Sequence, residues 1–230
     1  MFTKVEASGY RCLKDVSQEL RPFQILVGPN GSGKSAFLDV IAFLGEVVSD
    51  QLPQTVRTRT ENFHDLVWGR DGNTFRLAIE ASIGSSPADT IRYEVTVRID
   101  TTTDDIMLER EEVSIRQPGG MPRTVLKRDK QQVSFFDEAG DGQYSFELNW
   151  NYSALTNLPP DQSKFPASVW LKDVLREGVQ TVILDNQLLR LASPPGQGRP
   201  NKYDGRNMVR LVAFLSDLSR EDFNSWLEHI

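Results

Sequence analysis

The chain has 230 residues, 39% of them hydrophobic and 25% charged, which suits one large or two small globular units and excludes a disordered segment. Its formal charge of -6 excludes a broadly cationic nucleic-acid surface, and its single cysteine, Cys12, excludes an intrachain disulfide or a thiolate metal cluster. No apolar signal core follows Met1 and no run approaches the roughly 18 apolar residues of a membrane span, so a cytoplasmic protein without a membrane partner is expected.

Phe2 to Ser8 and Val16 to Leu20 read as short strands around the turn 9–15, and Phe23-Gln24-Ile25-Leu26-Val27 reads as a buried strand. Gly28-Pro29-Asn30-Gly31-Ser32-Gly33-Lys34-Ser35 comes next and fits G-x-x-x-x-G-K-[ST]. Behind it Phe37, Val40, Ile41, Leu44 and Val48 recur at helical spacing. Strand, glycine-rich loop and helix form the context in which this spacing grips phosphate. Glycines let backbone N–H groups close on phosphate oxygens, and the helix N-terminus adds partial positive charge. Residues Gly28 to Ser35, with Ala36 behind them, are therefore the expected ATP-binding stretch. Lys34 is expected at the β- and γ-phosphates, and the Ser35 hydroxyl at Mg²⁺. Accident produces such a pattern in roughly one chain in a hundred of this length.

From Val48 to Asn73 the chain is polar and irregular apart from the short amphipathic piece Phe63 to Trp68. His64 and His229 have no metal-ligand partner at suitable spacing. Residues 74–150 switch to a period of two, with Phe75, Leu77, Ile79, Ala81 and Ile83 and then Ile91, Tyr93, Val95, Val97 and Ile99 alternating with polar residues. Further strand-like runs follow at Val113 to Ile115, Val125 to Leu126, Val133 to Phe136 and Tyr144 to Leu148. Asp104, Asp105, Glu109, Glu111 and Glu112 read as a solvated face, as do the basic residues Arg57, Arg59, Lys127, Arg128 and Lys130.

Residues 166–230 read as helical, starting with Val169, Trp170, Leu171, Val174 and Leu175. Thr181-Val182-Ile183-Leu184-Asp185 has the form of an apolar strand leading to an acid, which makes Asp185 a weak Mg²⁺-linked candidate. Pro194 to Pro200 is a loop, a second helix carries Met208, Leu211, Val212 and Leu215, and Phe223, Trp226, Leu227 and Ile230 keep helical spacing to the last residue.

The opening VEASGYRCLKDVSQELRPFQILVGPNGSGKSAFLDVIAFL resembles the ATPase head of the RecF, SMC and OLD-like group of ABC-type ATPases, most strongly over residues 1–48. There a strand, a FRSLKD-like turn and further strands precede a G-x-N-G-S-G-K-S loop. The resemblance implies an α/β P-loop fold: strands, loop and first helix in 1–50, an inserted antiparallel sheet in 74–150, and a helical region in 166–230. It places Arg11 near bound nucleotide. It also matches Asp185 to Pro195 to an LDPxxLRxPSPP-like stretch ahead of the true Walker B strand, and Asn186 stands where a water-polarising Glu would follow. Such a head has a C-terminal lobe with the signature segment, Walker B acid and switch histidine, which no segment here matches. The expectation is an N-terminal lobe completed in cis or by a partner chain, forming a nucleotide-dependent homodimer that works with DNA or a nuclease in repair or phage defence. A nucleotide-binding subunit that never hydrolyses is the alternative.

Overall fold

The computed structural model describes residues 1–83 and 89–179, together with residues 187, 190, 213, 216, 217, 220, 223 and 224. The chain divides into two units, Met1–Val179 and Gln180–Ile230. In the second unit, residues 213, 216, 217, 220, 223 and 224 are helical. Asp185, the loop at 194–200, the helix start at 204–207, His229 and most of the terminal apolar stripe lie outside the described residues.

The first unit is built on one antiparallel sheet of eight strands. β1 (Phe2–Tyr10) and β2 (Leu13–Glu19) form a hairpin, and α1 (Lys34–Ser49) and α2 (Leu52–Arg57) follow. Then come β3 (Thr74–Ser82), β4 (Thr90–Ile99), β5 (Ile106–Arg116), β6 (Arg123–Asp129), β7 (Gln132–Phe136) and β8 (Gln143–Glu147), with α3 (Pro166–Glu177) last. The spatial order is β2-β1-β3-β4-β5-β6-β7-β8. The meander from β3 onward is the expected antiparallel region. It is continuous with the hairpin that precedes the loop, because β1 pairs β2 on one side and β3 on the other.

Alternation along the strands sorts the two faces of this sheet. Val5, Leu77, Ile79, Tyr93, Val95, Val97 and Val113 are buried on one face, where α1 packs on β1 and β3. α3 in turn packs on α1. The close approach happens at Gly45, where an added Cβ would stand 2.9 Å from the Leu175 carbonyl oxygen. Glu138 accepts from the Ala167 and Ser168 backbone N–H groups, satisfying orphan donors at the start of α3.

The opposite face carries an ion-pair ladder. Arg92 on β4 reaches Glu6 on β1, Glu80 on β3 at 3.1 Å and Glu94 at 2.8 Å, while Lys4 lies 2.6 Å from Glu6. These cations hold the Glu6 carboxyl at about 2 against an ordinary 4.5, outweighing the partial burial that would raise it.

Three readings of the sequence change here. Phe23 to Val27 forms no strand and pairs with no described strand, and Phe23, Ile25 and Val27 are 80%, 70% and 90% exposed. Its apolarity is a strand's, but the burial that apolarity anticipates requires a neighbouring strand, and none of the described strands pairs with it. Glu111 and Arg128 are not on a solvated face: both side chains are fully buried and sit directly opposite each other on β5 and β6, 3.6 Å apart. The Glu111 carboxylate accepts from the Tyr93 hydroxyl, the Ser153 hydroxyl and the Ala154 N–H, and Arg128 donates to the carbonyls of Lys130, Leu148, Asn149 and Tyr152. Arg59 is also locked away, as shown below, whereas Arg57, Lys127 and Lys130 are exposed as expected.

Glu111→Ala leaves a buried guanidinium without its anion and should cost about 3–5 kcal/mol of stability, read by denaturant unfolding. A loss below about 1 kcal/mol would show that Arg128 finds solvent instead. The ladder makes a pH-dependent prediction. A carboxyl depressed in the folded state contributes stability that is complete above its unfolded value and vanishes as pH falls through the folded one. The gap in Tm between wild type and Glu6→Gln should therefore be full above 4.5 and close as the pH drops toward about 2.

Candidate functional site

The glycine-rich loop runs from the segment 23–27 into α1. Gly31 and Gly33 take left-handed φ values of 79° and 91°, which fit glycine's freedom and turn the chain directly into the helix at Lys34. A Cβ at Gly28 would meet the Ser32 hydroxyl at 2.9 Å, and one at Gly33 would meet the Cys12 sulfur and a Leu13 methyl at 3.2 Å. The β1–β2 turn is thus packed against the loop.

No side chain caps the start of α1, and no acid lies in its first turn, so its leading N–H groups keep their partial positive charge. The Lys34 ammonium curls back to donate to the carbonyls of Gly28 and Pro29, both at 2.8 Å. That places a cation within the curve of the loop. An arriving phosphate would compete with those two carbonyls for the same ammonium.

Beside the loop opens a cleft of about 820 Å³. Asn30 to Ala36 line it from the loop and α1, Arg11 and Cys12 from the β1–β2 turn, and residues between Arg59 and Arg70 from the segment after α2. Gly28 and Pro29 form the back of the loop through their bonds to Lys34. Arg11, from the β1–β2 turn, therefore shares one cleft with Lys34, Ser35 and Ala36 of α1.

What aligns these elements is Asp39, a little over one turn into α1. It accepts from the Tyr10 hydroxyl at 2.5 Å and from Arg59 Nε at 2.9 Å, and it pairs with Arg11 Nη2 at 3.1 Å. Arg59 also grips Glu46 with both terminal nitrogens, at 2.5 and 3.1 Å. Burial works against the Arg59 charge, yet bonding to Glu46 and the nearby Asp39 hold the group firmly protonated. Burial and the Asp39 charge together push the Tyr10 hydroxyl well above its ordinary value, so it stays a donor.

The rest of the wall is fixed by aromatic packing and backbone bonds. Phe75 sits among Tyr10, Phe43 and Phe63 with ring centroids 4.9, 5.5 and 5.7 Å away. Arg11 is left-handed at φ 50°, and its N–H donates to the Leu66 carbonyl at 2.8 Å, tying the turn to the wall. Its Nε is buried and has no hydrogen-bond partner among the described residues.

Sequence reasoning named the loop and Arg11, which line this one cleft, but did not name Asp39, Asp65, Arg70 or the structural role of Arg59. One signal was available. After Lys34, Asp39 and Glu46 are the only charged residues of α1, seven apart, and such spacing stacks two acids on one helix face for a single arginine to span. Asp65 and Arg70 carried no such mark. His64 is half-buried with its Nδ1 3.0 Å from the Gly72 carbonyl, and among the described residues no group of His, Cys, Asp and Glu is placed to hold a metal ion by itself.

The donor set fits Mg-triphosphate. The glycine curve admits phosphate oxygens, Lys34 supplies the counter-charge, and Ser35 supplies one hydroxyl ligand to a cation that keeps most of its waters. No helix among the described residues is long and apolar enough to cross a membrane.

No curated protein matches the chain. A family model described as "AAA domain, putative AbiEii toxin, Type IV TA system" matches residues 23–222, a span that takes in the loop, α1, the wall after α2 and the sheet from β3 onward. With most of its length covered by that match, the chain belongs to this AAA-domain family and is a nucleotide-binding P-loop ATPase of the kind that generally uses ATP and Mg²⁺.

Proposed function

We propose that this chain is the nucleotide-gripping N-terminal lobe of an ABC-type head of the RecF, SMC and OLD-like group, and that it serves ATP-driven DNA repair or phage defence. The observation that carries the reading is the meeting of the GYRCLKD turn with the phosphate loop: Arg11 reaches the same cleft as Lys34 and Ser35, where the resemblance expects a cation beside the nucleotide. The toxin description of the matching family leans toward defence.

In this reading the loop and α1 supply binding. Lys34 gives up its bonds to Gly28 and Pro29 and turns to the β- and γ-phosphates, while Ser35 holds the cation. Arg11, steadied by Asp39, adds positive charge at the cleft edge. ATP brings the transferable γ-phosphoryl group, whose hydrolysis depends on a positioned water and on charge stabilisation around it. Those groups come from a second lobe, in cis or from a partner chain, when two heads close around nucleotide and engage DNA or a nuclease.

A second reading, a regulatory subunit that binds without hydrolysing, draws on one feature. Among the described residues the only acid lining the cleft is Asp65, and it is already engaged by Thr60 and Arg70.

Lys34→Ala removes a charge-assisted bond to phosphate worth about 1.5–3 kcal/mol, so MgATP affinity should fall by about tenfold to a hundredfold in calorimetry. Ser35→Ala should flatten the magnesium dependence of that binding. Equal affinities for wild type and Lys34→Ala would sink the nucleotide assignment.

The lobe assignment is tested by phosphate release. Residues 1–230 under saturating MgATP should turn over far more slowly than the ordinary enzyme range of about 1 per second. Turnover in that range, abolished by Asp185→Ala, would make Asp185 the Walker B acid and replace the half-head with a complete ATPase.

A further inference from the structure

The cleft has two chemically different sides. The loop side offers N–H groups, Lys34 and Ser35, all matched to phosphate and metal. The wall from the segment after α2 offers Asp65, the one anion among the lining residues, next to the apolar edge made by Leu66 and Val67, while its two cations are already paired, Arg59 with Asp39 and Glu46 and Arg70 with Asp65 itself. A carboxylate repels phosphate oxygens, so in a cleft that receives a polyphosphate its proper neighbour is a neutral hydrogen-bond donor.

Asp65 is held for such a purpose. Thr60 Oγ1 donates to its Oδ2 at 2.9 Å and Arg70 Nη2 lies 3.0 Å from its Oδ1, which fixes the carboxylate while leaving each oxygen a further lone pair. Its side chain is 36% exposed, enough to be reached from the cleft. The backbone beyond it is bent to suit: Gly69 and Arg70 are consecutive left-handed residues at φ 69° and 58°, and nothing lies within 4 Å of where a Gly69 side chain would begin. That open patch lets a flat group approach the backbone closely. A non-glycine residue in this conformation is uncommon, and such strain persists where surrounding structure enforces it.

We infer that residues 60–70 form the nucleoside end of the cleft, with Asp65 accepting a hydrogen bond from a ribose hydroxyl or from the exocyclic amine of the base. The assignment rests on the nucleotide reading above and adds to it the residue that distinguishes a nucleotide from bare polyphosphate. Arg70 serves as a positioning residue for Asp65.

The test is calorimetry of the full chain with Mg-tripolyphosphate, MgATP, Mg-inosine triphosphate and the 2′,3′-dideoxy form of MgATP. Asp65→Asn should weaken MgATP by about tenfold, the loss of one hydrogen bond to a charged acceptor, and leave tripolyphosphate within about twofold. Unchanged tripolyphosphate affinity also certifies that the loop is intact. Wild type should disfavour one analogue, and Asp65→Asn should erase that penalty: the dideoxy form if the donor is ribose, the inosine form if it is the base amine. Thr60→Val, which removes the hydroxyl holding Oδ2, should show the same pattern more weakly. The inference is overturned if Asp65→Asn leaves MgATP unchanged, if it weakens tripolyphosphate as much as MgATP, or if it weakens all three nucleotides equally. Failure of wild type to bind tripolyphosphate and MgATP alike would instead remove the nucleotide reading on which it rests.

Discussion

The Asp39 carboxylate is the constraint on which the cleft depends. It is largely withdrawn from water, at 17% side-chain exposure, and such a charge is tolerated only when its lone pairs are filled. Tyr10, Arg11 and Arg59 fill them, and these residues belong to the end of β1, the turn after it and the segment after α2. Because Asp39 itself is on α1, one anion sets the helix, the turn and the wall relative to the loop. The same helix begins at Lys34, so whatever tilts α1 also moves the phosphate-binding N–H groups.

The sheet supplies the stiff support for that arrangement. Its buried face carries the apolar core under α1, and the aromatic group around Phe75 joins β1, β3, α1 and the wall in one packed cluster. Farther along, Glu111 and Arg128 clamp the 148–154 segment onto β5 and β6 through five bonds to one hydroxyl, one amide and three carbonyls. Such a pair contributes little net stability over an apolar substitute, because its desolvation is expensive. Its effect is to make one register and one loop path far better than the alternatives, since every other arrangement strands a charge.

Legibility in the sequence followed the range of the interactions. Period-two alternation is local, so Phe75 to Ile83 and Ile91 to Ile99 were readable as β3 and β4 almost to the residue. The phosphate loop was readable because its chemistry is contiguous. Glu111 and Arg128 were not, since their partnership depends on the cross-strand register of β5 and β6, which composition does not encode. Phe23 to Val27 shows the converse limit. Its side-chain types state a preference for a sheet, while occupancy of a sheet depends on a neighbour, and here Phe23, Ile25 and Val27 stay exposed. The Phe63 to Trp68 piece of the wall was readable as amphipathic, but the pairing of Asp65 with Arg70 was not, because the left-handed turn at Gly69 and Arg70 that brings them together leaves no periodic trace.

The charge of -6 and an anion-binding cleft are compatible because potential is local. At physiological salt, charges beyond about 8 Å from the loop are largely screened, so the acids of the outer sheet face contribute little there. Within that range the cations are not equal. Arg59 is spent on Asp39 and Glu46, and Arg70 on Asp65, so neither adds much attraction for phosphate. Lys34 differs in being held only by neutral groups, the carbonyls of Gly28 and Pro29 and the Ser32 hydroxyl, which an anion displaces at small electrostatic cost. Arg11 is intermediate, since one terminal nitrogen is paired to Asp39 while its buried Nε has no partner among the described residues. The attraction for phosphate is therefore concentrated on Lys34, the α1 N-terminus and part of Arg11, and it fades toward the wall where Asp65 stands. A gradient of that sense orients an elongated ligand with one charged end, because reversing it would set phosphate against carboxylate.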